Sequence, residues 1–194
     1  PDGCPNRYAV SHITLGDTII VTLAGVRMKD PFFVSGADKK CNGNELAAAG
    51  LVVVSGLARG IDGEAHRGAL AANGHTVAVL GCGIDRDYPA AHSQLAREIC
   101  GRSLIVSEYE PGVEPAPWRF PARNRIVAGW GSGLIVVEAG LSSGALITAS
   151  QAIEHGRMVY AVPGQIDRPS AARADIPSFG CAIETVYYQL PKQL

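Results

Sequence analysis

The sequence predicts an α/β fold with a mostly parallel sheet and helices on both faces. Short apolar runs alternate with longer stretches of helical periodicity, which is the order that successive βα units produce. Several of the runs are β-branched and apolar on both faces, as strands of a buried parallel sheet are. Many of the 23 glycines follow these runs, where strand-to-helix turns are tight. The 194 residues suffice for one such domain, which we assign to residues 1–194.

The predicted strands are short apolar runs that end at turn residues. Residues 51–55 are rich in valine and end at Gly56, and residues 76–80 end at Gly81. Four more runs of this type are predicted to be strands: 18–24, 104–106, 134–137 and 158–162.

The predicted helices are stretches in which apolar residues recur every three or four positions. Residues 61–72 carry alanines at this spacing, and residues 143–155 end at Gly156, a usual residue after a helix. Residues 91–100 form a third predicted helix, and a short helix is predicted over residues 182–189.

Two segments interrupt this order. Residues 110–121 contain four prolines, which exclude a helix interior or a central strand, so we place the start of the next helix at Arg123. Residues 29–44 contain Pro31 and the Asn42–Gly43 pair, which make a poor helix where a crossover helix is expected.

Charge and composition exclude several classes of protein. A formal net charge of −1 argues against coating nucleic acid through bulk positive charge, so a nucleic-acid site has to be a local concentration of Arg and Lys. The five cysteines contain no C-x-x-C pair and the five histidines no metal-like pairing, so we expect no metal site. No apolar run reaches about 18 residues, so we expect no membrane partner.

A glycine-rich turn follows the predicted strand 51–55. It contains Ser55, Gly56, Arg59 and Gly60, and it joins the strand to a helix. Backbone N–H groups at the start of a helix can bind an anion, and the arginine can add a bidentate phosphate contact. The alternative is an ordinary βα turn with an arginine on the surface.

A second glycine-rich turn, with Gly81 and Gly83, follows the strand 76–80. Taken alone, it is best explained as a plain turn. Because the carboxyl ends of parallel strands meet at one edge of the sheet, however, the two turns together would form a shared anion-binding rim.

A local basic patch, as the net charge requires, lies at residues 118–125. Three arginines and two aromatic residues occur there with no acidic residue among them. Arginines hold phosphates, and aromatic rings can stack on unpaired bases. In the alternative interpretation the aromatic residues anchor the core and the arginines pair with Glu108, Glu110 or Glu114.

The chain carries few signs of catalysis. It has neither a phosphate-binding P-loop nor a G-x-S-x-G nucleophile motif. Asp62, Asp85 and Glu138 could converge at the sheet edge for acid–base chemistry. The hydroxyls after Glu138 could bind phosphate, or Ser142 or Ser143 could simply cap the next helix. These signs alone do not identify a catalytic site.

One ordered set of motifs covers most of residues 49–164. Its members are 55–62 with 65–66, 78–85 with 88–89, 107–108, 120–127, 137–139 with 143–148, 156–157 and 162–164. In this order, they resemble the DprA/Smf family of DNA-processing proteins.

The resemblance implies an extended Rossmann-like fold and a bacterial cytoplasmic protein of natural transformation. It implies no cofactor and a protein that is not an enzyme. It implies a homodimer that binds incoming single-stranded DNA, protects it and helps to load the RecA recombinase onto it. In the family, a positively charged pocket at the carboxyl edge of the sheet holds the DNA backbone.

The resemblance also implies the DNA-binding residues. Arg59, Arg123 and Arg125 are the first choices, and Arg27 stands where the family has a Gly-Ser-Arg turn, here Gly25-Val26-Arg27. The full set of candidates by motif match is Arg27, Ser55, Gly56, Arg59, Gly60, Gly81, Gly83, Arg119, Arg123 and Arg125.

Two other functions remain open. One is a nucleotide phosphoribohydrolase of the LOG type, whose Pro-Gly-Gly-x-Gly-Thr motif is loosely similar to residues 138–148. The other is a structural or adaptor domain in which every arginine is engaged by a carboxylate.

Overall fold

The computed structural model describes residues 7–9, 41–137, 139, 143–161 and 183–184. The strands in these residues are β1 (Arg7–Ala9), β2 (Val53–Ser55), β3 (Thr76–Leu80), β4 (Leu104–Ser107), β5 (Gly133–Val136), β6 (Met158–Ala161) and β7 (Ile183–Glu184). The helices are α1 (Cys41–Ala48), α2 (Ile61–Ala71), α3 (Ser93–Arg102), α4 (Arg119–Trp130) and α5 (Gly144–Glu154), with a 3₁₀ turn at Ala90–His92.

All strand pairs among the described residues are parallel, in agreement with the mostly parallel sheet that the sequence predicts. One sheet has the order β1-β4-β3-β2 and a second has the order β5-β6-β7. The edge strands β2 and β5 lie next to one another, because residues of both line one cavity and Ile135 packs against the cluster around Val53. Strand order reverses between them, and such a reversal is where open α/β sheets bind ligands.

Helices cover both faces of the sheet, which confirms the predicted fold class. Along β3, Ala78 and Leu80 pack on the side of α3, whereas Val77 and Val79 pack on the side of α4. All five residues of β3 are buried, so this strand lies in the middle of the core. Helices α1 and α2 cover the first face near β2, and α4 and α5 pack together on the second.

Helix α4 begins four residues before the predicted start at Arg123. It starts at Arg119 and carries Pro121 in its first turn. Proline is tolerated there, because the N–H that it lacks has no partner within the first turn of a helix. The prediction treated this proline as the end of the irregular segment and was wrong by one turn.

Two further predictions need correction. Ile183 and Glu184 form a strand that pairs with β6 in parallel, not the predicted helix, because the edge of β6 supplies backbone hydrogen bonds that a short isolated helix lacks. Helix α1 includes Asn42 and Gly43, although this segment makes a poor helix; a Cβ at Gly43 would clash with the Ala65 carbonyl, so glycine lets α1 approach α2.

The predicted strand 18–24 lies outside the described residues, as do residues 29–40 of the poor helix. Among the residues that the structure describes, no helix is long and apolar enough to cross a membrane.

Candidate nucleic-acid interface

A cavity of about 380 Å³ opens at the carboxyl edge between β2 and β5. Its wall includes four of the predicted DNA-binding residues, namely Ser55, Gly56, Arg59 and Arg123. Val54, Val127 and Leu134 are among the apolar residues of the wall, and Asn124, Ser143 and Thr148 among the polar ones. The cavity therefore combines an apolar interior with a few polar groups, which is the usual composition of a ligand site.

The turn after β2 is held by an internal carboxylate. The N–H groups of Gly56 and Ala58 donate to Oδ2 of Asp62, at 3.1 and 3.2 Å. Leu57, between them, has a φ of +58° and is 1% exposed. Two of the backbone N–H groups that could have faced a phosphate are thus occupied by a side chain from the first turn of α2.

Arg123 is buried beneath this turn, with 4% of its surface exposed. Its Nη1 donates to the carbonyl oxygen of Gly56 at 2.8 Å and also to that of Val79, and its Nε donates to Oδ1 of Asn124 at 3.1 Å. Burial lowers the pKa of the guanidinium, and the nearby Asp62 charge opposes that effect. In this structure Arg123 ties the turn to the end of β3.

Arg59 differs from Arg123 in its exposure and in its partners. Its side chain is exposed at the wall of the cavity, and within the described part of the chain it forms no hydrogen bond or ion pair. Gly60 follows it with a φ of +88°, a conformation that glycine adopts without strain. Arg59 is therefore available for an anionic ligand.

The other two arginines of the basic patch are engaged at the surface. Arg125 forms an ion pair with Glu108, and its side chain is 43% exposed. The Arg119 guanidinium lies over the Trp118 ring at 4.6 Å and over the Tyr109 ring at 5.3 Å. The alternative interpretation, in which the arginines pair with carboxylates, therefore holds for Arg125. Its other part does not hold for Trp118, which is 65% exposed and is not a core anchor.

Gly81 and Gly83 permit close packing at the end of β3. A Cβ at Gly81 would lie 2.7 Å from Cδ1 of Phe120, and one at Gly83 would lie 2.7 Å from the Glu110 carbonyl oxygen. Neither glycine lines the cavity, and neither do Gly60, Arg119 and Arg125. Their contact with DNA stays a prediction, and Arg27 lies outside the described residues.

The candidate carboxylates do not converge where the structure describes them. Asp62 holds the turn after β2, whereas Asp85 accepts the Gly112 N–H at 2.7 Å and lies 3.7 Å from Arg86. The Gly112 hydrogen bond lowers the pKa of Asp85. Glu138 lies outside the described residues. Ser143 caps α5, because its Oγ accepts the Ala145 N–H at 3.2 Å.

Sequence reasoning missed the roles of two residues. The sequence makes Asp62 a candidate for acid–base chemistry and does not predict that it accepts N–H groups of the turn. His92, which is buried, donates from Nδ1 to the Leu57 carbonyl oxygen at 3.0 Å, since a carbonyl can only accept. Asp62 lies at the second position of α2, where an acidic side chain commonly accepts free N–H groups, and this signal was available. His92 is 35 residues away from Leu57 and offered no local signal.

Comparison with known proteins places this architecture in a family. The family model of DNA recombination-mediator protein A matches residues 19–176, which is most of the chain. The chain belongs to this family. The chain is 53% identical over 116 residues to DNA processing protein DprA of Streptococcus pneumoniae, covering 60% of the chain and 41% of that protein. It is 47% identical over 127 residues to protein Smf of Escherichia coli, covering 65% of the chain and 34% of that protein.

Solved structures of DprA proteins share the fold. The structure of the Streptococcus pneumoniae protein matches with a TM-score of 0.64 at 43% identity, over 76% of this chain and 52% of that one. A structure of the Helicobacter pylori protein, described for its unique single-stranded DNA binding mode, matches with a TM-score of 0.62 at 33% identity, over 66% and 58%. The chain thus spans less than two thirds of each of these relatives.

Proposed function

We propose that this DprA-family chain binds single-stranded DNA at the carboxyl edge of its sheet and catalyses no reaction. Following its family, we further propose that it acts in the cytoplasm as a homodimer during natural transformation, where it protects incoming DNA and helps to load RecA. One observation carries the DNA-binding proposal: Arg59 is exposed at the wall of the cavity between β2 and β5 and has no ion partner in the described residues.

The proposed contacts are largely independent of base sequence. Arg59 neutralises a phosphate, and contacts to phosphate position a strand without reading its bases. Two exposed aromatic residues, Tyr88 and Trp118, lie near this edge; Tyr88 stacks on Phe120, a residue of the cavity wall, with the ring centroids 5.4 Å apart. Stacking on such rings tolerates any base.

The absence of catalysis is proposed on the arrangement of the acids. Asp62 and Asp85 are each engaged by backbone N–H groups in different turns, so they do not form an acid–base pair. No observation in the described residues favours the phosphoribohydrolase alternative. Release of ribose 5-phosphate from a nucleoside monophosphate by the purified protein would overturn this part of the proposal.

The test is fluorescence-anisotropy titration of an oligo-dT strand and a matched duplex at two salt concentrations. The variants are Arg59→Ala and, as a matched control, Arg97→Ala, which removes the same charge from the exposed face of α3. We expect a salt-sensitive preference for the single strand that is weakened in Arg59→Ala and kept in Arg97→Ala. Equal losses in both variants would mean that net charge, not this edge, drives binding. Absence of binding by the folded wild type would overturn the proposal.

A further inference from the structure

The backbone of the turn after β2 is held by side chains from three different elements. Asp62 in α2 accepts the N–H groups of Gly56 and Ala58, at 3.1 and 3.2 Å. Arg123 in α4 donates to the Gly56 carbonyl at 2.8 Å. His92, at the end of the 3₁₀ turn before α3, donates to the Leu57 carbonyl at 3.0 Å. We call these three side chains the turn clamp.

The turn clamp stabilises an unfavourable backbone conformation at Leu57. Leu57 has a φ of +58°, in the left-handed region that a residue with a Cβ rarely adopts. Its side chain is nevertheless buried in the core cluster with Leu80 and Leu95, so the strained backbone and the packing occur at the same residue. Such strain persists only when surrounding contacts over-determine the conformation.

The neighbouring glycine is required by the same arrangement. A Cβ at Gly56 would clash with the guanidinium of Arg123, which is itself buried and held by the Gly56 and Val79 carbonyls. The Arg123 side chain therefore holds the turn in a position that only a glycine at residue 56 leaves free.

The clamp also limits which groups of the turn can meet a phosphate. The Asp62 carboxylate accepts the N–H groups of Gly56 and Ala58, which precede α2, so these two groups are not free to bind an external anion. Arg59 is the cationic side chain of the turn, and it is exposed. It lies one residue after the last clamped backbone group, so its direction depends on the conformation at residues 56–58.

We propose that Asp62, His92 and Arg123 are positioning residues, which fix the turn of residues 56–58 and so present Arg59 to single-stranded DNA. The proposal rests on the proposed DNA-binding function and adds to it the residues that set the geometry of the site. None of the three need touch DNA.

A double-mutant cycle with Arg59 tests this role. Oligo-dT affinity is measured for His92→Ala and Asp62→Ala, each alone and combined with Arg59→Ala, with unfolding curves to select conditions in which every variant is folded. We expect each single substitution to weaken binding about fivefold, and less than twofold when Arg59 is already alanine, because neighbours that act through one group are not additive. Equal losses in both backgrounds would show a general structural effect and overturn the proposal.

Conservative variants and an exchange measurement separate the clamp from simple misfolding. His92→Asn keeps a donor near the position of Nδ1, and Asp62→Asn keeps an acceptor oxygen, so both are expected to retain binding within about twofold where the alanine variants lose it. Amide hydrogen exchange of Ala58 should be faster in Asp62→Ala than in the wild type. Unchanged exchange at Ala58, or no rescue by the asparagine variants, would overturn the positioning role.

These experiments distinguish a failure of the proposed DNA-binding function from a failure of the positioning role. If the folded wild type does not bind oligo-dT, the proposed function is wrong and the positioning role falls with it. If the wild type binds and Arg59→Ala weakens binding, but the cycle is additive, only the positioning role is wrong.

Discussion

The turn of residues 55–60 and the basic patch of residues 118–125 both carry arginines to the same edge of the sheet, yet they use them in opposite ways. In the turn, Arg59 is exposed and makes no ion pair with any described residue. In the patch, Arg125 is paired with Glu108, Arg119 lies over aromatic rings, and Arg123 is buried. The segment that is richer in arginine offers less free charge.

This difference shows that a cluster of arginines in sequence is not a cluster of available charge. A guanidinium that already donates to carbonyls or a carboxylate has fewer N–H groups left for a phosphate. Within the described residues, Arg123 supports the turn that carries Arg59, and its contact with DNA stays a prediction. Four predictions test the contrast between supporting and available groups.

The largest expected effect is on stability, at Arg123. Arg123→Ala should lower the free energy of unfolding by about 3–5 kcal/mol, because it leaves the Gly56 and Val79 carbonyls buried without a donor and opens a cavity. Arg59→Ala should change it by less than about 0.5 kcal/mol, as exposed substitutions do. Urea unfolding of both variants measures the difference. Similar values for the two would mean that Arg123 is not a support of the turn.

The second prediction concerns His66, which is fully buried on α2 and supports the opposite end of β2. Thr76 donates to the Val53 carbonyl, so its Oγ1 accepts from Nδ1 of His66 at 2.6 Å. Burial lowers the pKa of His66 from 6.5 to about 4, against the opposing charge of Asp62. The unfolded chain therefore binds the proton more tightly, and stability is lost as the pH falls from 6.5 toward 4.

The loss from this one group reaches about 3 kcal/mol, since each pKa unit corresponds to about 1.4 kcal/mol. Unfolding free energies measured between pH 4 and pH 7 should have a flatter slope in His66→Asn, which keeps a donor for Thr76 but does not titrate. His75→Asn, at an exposed histidine, is the matched control and should keep the wild-type slope. Identical slopes of unfolding free energy against pH in all three proteins would contradict a lowered pKa of His66.

The fold was predictable to a large extent because its signals are local. Residues 76–80 are apolar throughout and form β3 with the predicted bounds, and the helical spacing of alanines places α2 within one residue. The start of α4 was misplaced because a proline in a first turn resembles one that ends a helix. The strand at Ile183–Glu184 depends on an edge supplied by β6, which no local pattern reveals.

The site was predictable only in part, because the partners of its arginines are distant in sequence. The glycine-rich turn after β2 lies at the edge where the cavity opens, and Ser55, Gly56 and Arg59 of this turn line one wall. Whether an arginine is free or engaged depends on residues far away in sequence, such as Val79 for Arg123 and Glu108 for Arg125. Spacing along the chain contains no information on those partners.

The third prediction compares two glycines. Gly56→Ala should destabilise the protein by about 1–3 kcal/mol, because the added Cβ would clash with a buried guanidinium that is held by the Gly56 and Val79 carbonyls. Gly101→Ala, in α3, meets nothing within 4 Å and should stabilise by up to about 1 kcal/mol through helix propensity. Thermal or urea unfolding gives both values. An unchanged free energy of unfolding in Gly56→Ala would mean that Arg123 can leave the turn with little loss of stability.

The smallest expected effect is on the salt dependence of DNA binding, and it decides whether the patch contributes at all. Arg59→Ala should reduce the slope of log affinity against log salt by about 0.7, the value for one phosphate contact on a single strand. Arg125→Ala should weaken all sequences about equally but reduce the slope by less than half as much, because Glu108 already neutralises Arg125. Oligo-dT titrations over a range of salt concentrations measure both slopes.

Removing the Glu108 carboxylate tests the same ion pair through its other partner. Glu108→Gln frees Arg125 and should tighten oligo-dT binding about twofold, corresponding to the small free energy of a partly exposed ion pair. The same substitution in an Arg125→Ala background should have almost no effect, because the charge that it frees is then missing. If Arg125→Ala reduces the slope as much as Arg59→Ala does, Arg125 leaves Glu108 when DNA binds. The patch and the turn would then differ only in the unbound protein, with the ion pair acting as a resting position for a phosphate-binding side chain.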